Sequence, residues 1–329
     1  MATAIQTNTP TPAKGPDHKP GFSTSEGANW SEYLAFRPVY PASFFNRIYE
    51  YHFQKAKPQP PTAKSGHSTT TTTTTAQDIG AGCGIVSSGL ATRFDKVIVS
   101  DPNDGYTALA RNLLVEQSGL AASKFTFLQE GAEKSSVASG TVDLITACEM
   151  MHWTDTAVAV REFGRALKAG GSLVLTYYTV PRIVGNEAAQ AVWRRIWREY
   201  ASRAQGELYD HAFGIVNSAF ECIALPADSW EGVKRVYINT GGSTVPFQID
   251  DRLEESRVGE GEEAVWVEGD RDWYDVQGID WLKGYLATWV PRIPEADIQE
   301  LWDGLAAALG GEPANLETPL VMIFATKKA

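Results

Sequence analysis

The sequence predicts an α/β protein built on a doubly wound, mostly parallel sheet, and three observations carry that prediction. Strand-like and helical stretches alternate from residue 76 to residue 178. A glycine-rich turn, Asp78-Ile79-Gly80-Ala81-Gly82-Cys83-Gly84, joins the first strand of that series to its first helix, and Asp101 ends the second strand 17 residues later. Apolar residues make up 43% of the 329, enough for one large core with a sizeable insertion.

Taken in order, residues 1–27 are rich in Thr, Pro and Lys and lack the apolar stretch of a signal peptide. A disordered tail is expected there, ahead of a single domain over 28–329. The spacing of Phe44, Phe45, Ile48, Tyr49 and Tyr51 predicts a helix over 43–54. Residues 57–75, Pro-rich and then seven consecutive Thr, are expected to form a flexible surface loop. Strand 76–79, helix 85–94, strand 97–100, helix 105–118 and strands 125–128 and 142–147 follow. Val160, Phe163, Ala166 and Leu167 share one face of a helix over 155–168, and Gly170-Gly171 reads as its C-terminal cap. A fifth strand covers 172–178. Beyond Pro181 the pattern loosens into a helix over 187–203, a sixth strand over 233–239, helices over 277–290 and 296–309, and a last strand over 320–326. Residues 181–232 and 241–317 are assigned to cap insertions, with the acidic stretch 250–275 left without an element.

Composition excludes several classes. Twenty-nine Lys and Arg stand against 40 Asp and Glu, a formal charge of −11, so a nucleic-acid backbone is not the expected partner. Cys83, Cys148 and Cys222 are widely spaced without a CxxC, which argues against a disulfide scaffold and a thiolate metal site and fits a reducing, cytoplasmic compartment. No bound metal is expected, and no apolar run is long enough to span a bilayer. Oligomeric state is not legible.

The glycine turn carries the chemistry. Glycines at 80, 82 and 84 let backbone approach a ligand closely, and a carboxylate at the second strand's tip can accept from both hydroxyls of a ribose. A dinucleotide fingerprint wants its third glycine where Ile85 stands. An acid just before the first glycine suits S-adenosylmethionine instead, because that cofactor has no pyrophosphate and Asp78 can face its ammonium group.

With those motifs, the chain resembles the class I S-adenosylmethionine-dependent methyltransferases, in particular the trans-aconitate methyltransferase-like proteins of fungi. The likeness rests on four places: Ser31-Glu32-Tyr33 through Arg37-Pro38-Val39-Tyr40-Pro41, the glycine turn with Asp101, the run Asp143 through Cys148-Glu149-Met150-Met151-His152-Trp153, and Leu167-Lys168-Ala169-Gly170-Gly171. Tyr285-Leu286-Ala287-Thr288-Trp289 is a fainter echo. The resemblance implies a Rossmann-like sheet of seven strands with the last antiparallel, and a cap made by the N-terminal segment and the later insertions.

It also places the site. Asp78, Gly80, Ala81, Gly82, Gly84, Asp101 and Pro102 are the expected cofactor loop, with Glu149 and Tyr33 beside it. Asp78 either meets the cofactor or orients the loop. Ala132 and Glu133 match the positions set against the adenine edge, Glu133 reading equally as a solvated turn acid. Trp153 either walls the sulfonium pocket or packs in the core. Arg37, Tyr40 and His152 are the catalytic candidates. Arg37 pairs with an anionic acceptor or bonds backbone, and His152 is a base, a donor or a structural residue. Trp193, Trp197, Trp281 and Trp289 are core residues or the wall of an apolar pocket. The expected activity is methylation of a small molecule on a carboxylate or hydroxyl oxygen, as in secondary metabolism. A non-methylating cyclase or isomerase on the same fold, or a cofactor-binding regulatory protein, are the alternatives.

Overall fold

A computed structural model describes residues 30–54, 73–103 and 105–329. The expected tail over 1–27 and most of the expected loop over 57–75 lie outside these residues. Thr75 opens the first strand, and Thr74 bonds to Asp95 through its N–H (2.8 Å) and hydroxyl (2.9 Å), so the end of the threonine run belongs to the sheet.

Two helices, α1 (Trp30–Phe36) and α2 (Ala42–Gln54), precede the alternating series. That series runs β1 (Thr75–Ile79), α3 (Ile85–Leu90), β2 (Lys96–Ser100), α4 (Tyr106–Arg111), β3 (Phe125–Leu128), β4 (Val142–Cys148), α5 (Thr156–Ala166) and β5 (Leu167–Tyr178). The rest comprises β6 (Arg182–Ile183), α6 (Glu187–Arg203), α7 (Glu207–Asn217), β7 (Trp230–Ile238), β8 (Glu263–Val267), β9 (Tyr274–Gln277), α8 (Ile279–Ala287), α9 (Gln299–Leu309), β10 (Ala314–Glu317) and β11 (Leu320–Lys327).

The main sheet has the order β3-β2-β1-β4-β5-β11-β7-β8. Strands β1 to β5 are parallel, and β11 runs antiparallel to both β5 and β7. The Rossmann-like, doubly wound fold with an antiparallel last strand is therefore present, with eight strands where seven were expected. The extra strand is β8, parallel to β7, from the acidic stretch left without an element. Its apolar pattern is weak because it is an edge, and long-range contacts seat it. The Glu262 carboxylate accepts from Arg235 Nε at 2.6 Å with both side chains buried, and Trp266 stacks on Tyr237 at 4.3 Å.

Alternation along the central strands builds two apolar layers. Ile145, Leu173, Leu175 and Ile323 face one layer with Phe163 of α5, while Leu144, Val174, Met322 and Phe324 face the other with Phe44 and Ile48 of α2. A third cluster, around Trp193, Trp197, Tyr285 and Trp302, belongs to the cap. A small sheet, β6-β10-β9, ties that cap to the end of β5.

Several boundaries differ from expectation. The helix expected to cap at Gly170-Gly171 ends at Ala166, N-capped by Asp155, whose carboxylate accepts from Val158 N–H at 3.0 Å. Leu167 already pairs with Val142, and Ser172 pairs with Leu144, so the residues between bulge out of register. Gly170, at φ +78°, serves that bulge. The expected helix 85–94 is α-helical only to Leu90, and 105–118 is α4 followed by a wider-wound turn over Asn112–Gln117. In the cap, 277–290 contracts to α8, and 296–309 begins with a tighter turn over Glu295–Ile298 before α9.

Candidate functional site

Strand order reverses between β1 and β4, and the crevice outside their carboxyl ends is where a doubly wound sheet binds ligands. A cavity of about 220 Å³ lies there. Its wall includes Tyr33, Tyr40, Asp78, Gly80, Ala81, Gly82, Asp101, Pro102, Ala132, Glu133, Glu149 and Trp153. Every expected cofactor residue except Gly84 is on that wall. Gly84 works one step back: it precedes α3 at φ +85°, and a Cβ on it would come within 2.9 Å of Leu114. At Gly80, φ +65°, a Cβ would meet Met150 Cγ at 2.6 Å.

Asp101 holds the turn from across the crevice. Its Oδ2 accepts from Gly82 N–H (3.0 Å), and its Oδ1 accepts from the backbone (2.9 Å) and side-chain (3.2 Å) nitrogens of Asn103. Asp101 is 5% exposed, and burial pushes its carboxyl up to about 6. Asp78 reaches the cavity, but its oxygens accept from Ser87 Oγ (2.6 Å) and Thr146 Oγ1 (3.0 Å), which favours the loop-orienting role. Burial raises this carboxyl to about 6 as well. Glu149 stands at φ +57°, an uncommon backbone state for a residue other than glycine, with its Oε1 accepting from Tyr178 N–H at 2.5 Å. Burial pushes its carboxyl well above the ordinary value. Glu133 Oε1 accepts from Asp155 N–H at 3.2 Å.

Four carboxyls thus share one cavity, three of them, Asp78, Asp101 and Glu149, driven toward their neutral forms by burial, while no Lys, Arg or His is on the wall among the described residues. The place fits a ligand that brings positive charge and a pair of hydroxyls.

The catalytic candidates are not brought together. Tyr40 lies on the wall, packed on Phe44 (4.5 Å) and Tyr178 (6.1 Å). Arg37 lies behind Tyr33 and is 8% exposed. Its Nη2 donates to Thr288 O at 3.0 Å, and its guanidinium sits on the rings of Tyr33 (4.9 Å), Tyr285 (5.5 Å) and Trp289 (4.5 Å). The faint Tyr285-to-Trp289 echo is therefore the floor beneath Arg37. Arg37 makes no ion pair among the described residues, although the Glu149 carboxylate acts on its charge from a distance, and its Nε is buried without a hydrogen bond. His152 is off the wall, between Trp153 (4.8 Å) and Tyr177 (5.6 Å), with Nδ1 unpartnered. Burial, with Arg37 and His211 acting the same way, holds its imidazole down to about 3. Trp193 and Trp197 are core residues of the cap, and Trp281 and Trp289 pack against that core.

Sequence reasoning missed Asn103, Tyr106, Met150 and Thr154 on the wall. The signal for Asn103 was present in the short run after Asp101, where a residue hydrogen-bonding back to the acid is a common turn device. Among the described residues no cluster of His, Cys, Asp or Glu fits a metal ion, and no helix is long and apolar enough to cross a membrane.

Residues 77–175 match the family described as methyltransferase domain. The chain is 25% identical to methyltransferase cfoB of Aspergillus candidus over 93% of its own length and 97% of the relative's. It is 28% identical to methyltransferase pgmE of Aspergillus terreus, covering 91% and 93%. In fold it is similar to a putative type II methyltransferase from Anaeromyxobacter dehalogenans, with a TM-score of 0.56 at 20% identity over 88% of this chain and 97% of that one.

Proposed function

We propose that this chain, a class I S-adenosylmethionine-dependent methyltransferase, methylates an ionised oxygen, a carboxylate first of all, on a small organic acid. When bound, the cofactor supplies an electrophilic methyl group on a sulfonium. The protein's task is then to align the acceptor, exclude water and hold charge in place. Asp101 is suited to accept from the ribose hydroxyls, the 80–84 turn to let the ligand approach the backbone closely, and Glu149 to face its positive charge, while Asp78 orients the turn. Trp153 and Tyr33 are apolar walls for the sulfonium.

The observation that carries the acceptor is Arg37. A guanidinium out of water without a carboxylate costs several kcal/mol, and aromatic faces repay only part of that. An acceptor carboxylate approaching past Tyr33 completes it, with the unpartnered Nε as one tine of the planar fork. An ionised acceptor needs no base, and His152, held down to about 3, is a poor one at neutral pH. Arg37→Lys keeps the charge but loses the fork, so turnover falls further than cofactor affinity. Replacing the acceptor's carboxylate by an amide then costs much less in the variant than in the wild type. Independent, multiplicative effects would make Arg37 structural.

One observation favours a second reading, a hydroxyl acceptor. Glu149 faces the cavity with a raised pKa, as a general base does. Glu149→Gln then abolishes kcat while the cofactor still binds, whereas under the carboxylate reading it weakens cofactor binding and leaves kcat at saturation nearly intact.

A further inference from the structure

A second cavity, of about 150 Å³, opens in the cap between α6 and the turn around Pro246. Arg182, Arg194 and Arg198 line it together with Gln190 and the indoles of Trp193 and Trp197, and no acidic residue is among its lining residues. That is a strong local asymmetry in a chain of net charge −11. It follows from helical spacing: positions 190, 194 and 198 fall in one row of α6 and 193 and 197 in the next.

Two features separate this from a solvated charged face. Arg194 and Arg198, one turn apart, repel each other, and among the described residues neither has a hydrogen-bond or ion-pair partner. The floor of the cleft also carries unused donors. Trp193 Nε1 donates to Pro181 O at 2.8 Å and is satisfied, but Trp197 Nε1 is buried without a partner in a side chain only 3% exposed. Arg182 spends Nη2 on Glu317 and on Asn239 O, and its Nε is buried and unpartnered. A buried indole N–H without an acceptor is a cost that a bound acceptor atom removes.

We infer that this cleft is a binding site for a planar organic carboxylate, held by Arg194 and Arg198 at its mouth and by the Trp197 N–H at its floor, with its ring against the two indoles. The charged lining is wholly cationic, the two indoles and the aliphatic Val180, Val245 and Ile249 supply apolar walls, and the volume admits a one- or two-ring acid. The site is distinct from the methyl-transfer cavity: the two share no lining residue. Trp197 packs on Trp289 at 5.1 Å, and Trp289 in turn carries Arg37, so aromatic rings stand between the cleft and that arginine. The site stands whether or not Arg37 meets the acceptor.

The test uses the full chain saturated with S-adenosylhomocysteine and titrated with 1-naphthoate, with 1-naphthamide as the neutral control. Naphthoate binds about tenfold or more tightly than the amide, as charge-assisted hydrogen bonds require. The double variant R194A/R198A, at exposed positions, binds both probes equally weakly and retains wild-type affinity for S-adenosylhomocysteine. Trp197→Phe keeps the ring, loses the donor and weakens naphthoate several-fold. Arg37→Gln leaves naphthoate binding unchanged. No binding, binding that ignores charge, or a loss in the Arg37 variant with none in the double variant overturns the inference, the last by placing the acid at the acceptor position instead.

Discussion

Replacing Asp101 by Asn separates stability from binding, because the structure makes one residue cost the first and serve the second. Its carboxyl moves from the ordinary 3.8 to about 6 on folding. That corresponds to about 3 kcal/mol less stability at neutral pH than an unperturbed carboxylate would give. The sign follows from proton counting. Between about pH 4 and 6 the folded chain holds a proton that the unfolded chain has released, so stability falls as pH rises through that window and stays reduced above it. Asn removes the ionisation but cannot accept on both sides, so one of the bonds from Gly82 N–H and Asn103 N–H is lost, costing about 1 kcal/mol. Measured without cofactor at pH 7.5, Asp101→Asn is thus more stable than wild type by about 1–2 kcal/mol, and its pH dependence over 4–6 is shallower. Its affinity for S-adenosylhomocysteine falls by about 1.5–3 kcal/mol, roughly ten- to a hundredfold or more. Urea titrations at a series of pH values and calorimetry on one preparation decide it. Unchanged affinity, or a pH dependence identical to wild type, refutes the reasoning.

Other perturbations follow from the same geometry. With Asp78 and Asp101 both titrating near 6, affinity for S-adenosylmethionine by calorimetry falls as pH drops below about 6, by up to about a hundredfold per pH unit once both carboxyls are mostly protonated. Gly80→Ala meets Met150 at 2.6 Å in a backbone state unfavourable to alanine, so thermal unfolding shows a loss of about 1–3 kcal/mol and cofactor affinity drops as Met150 is displaced toward the ligand. Glu262→Ala leaves the Arg235 guanidinium buried with only the Phe220 and Ile223 carbonyls, costing about 3–5 kcal/mol in denaturant unfolding, whereas cofactor affinity at a permissive temperature is unchanged.

What was legible in the sequence was local. The glycine turn, Asp101 and the run from Glu149 to Trp153 each sit within a few residues of a strand end, so the order of elements alone places them on the crevice. The cap was not legible in that way. Arg37 owes its setting to Thr288, Tyr285 and Trp289, some 250 residues away, and no periodicity within α1 announces such a partner. His152 follows the right strand, yet the turn after β4 aims it at Tyr177 and gives the wall to Trp153, a side-chain direction that spacing does not encode. Strand β8 was missed because its acidic flank hides it and a buried ion pair with Arg235 holds it. Gly170-Gly171 was read as a helix cap because the bulge at the strand start uses Gly170 for the same reason a cap would, freedom at positive φ.

The most direct test is formation of S-adenosylhomocysteine by the purified chain across a panel of small carboxylic acids, each matched with its primary amide, and a set of neutral phenols and alcohols. The account predicts methyl esters from one or more of the acids, little product from their amides, and a kcat that does not rise with pH between 6.5 and 9, because an acid of pKa about 4 is already ionised. Turnover confined to neutral hydroxyl acceptors, rising with pH and abolished in Glu149→Gln, contradicts it.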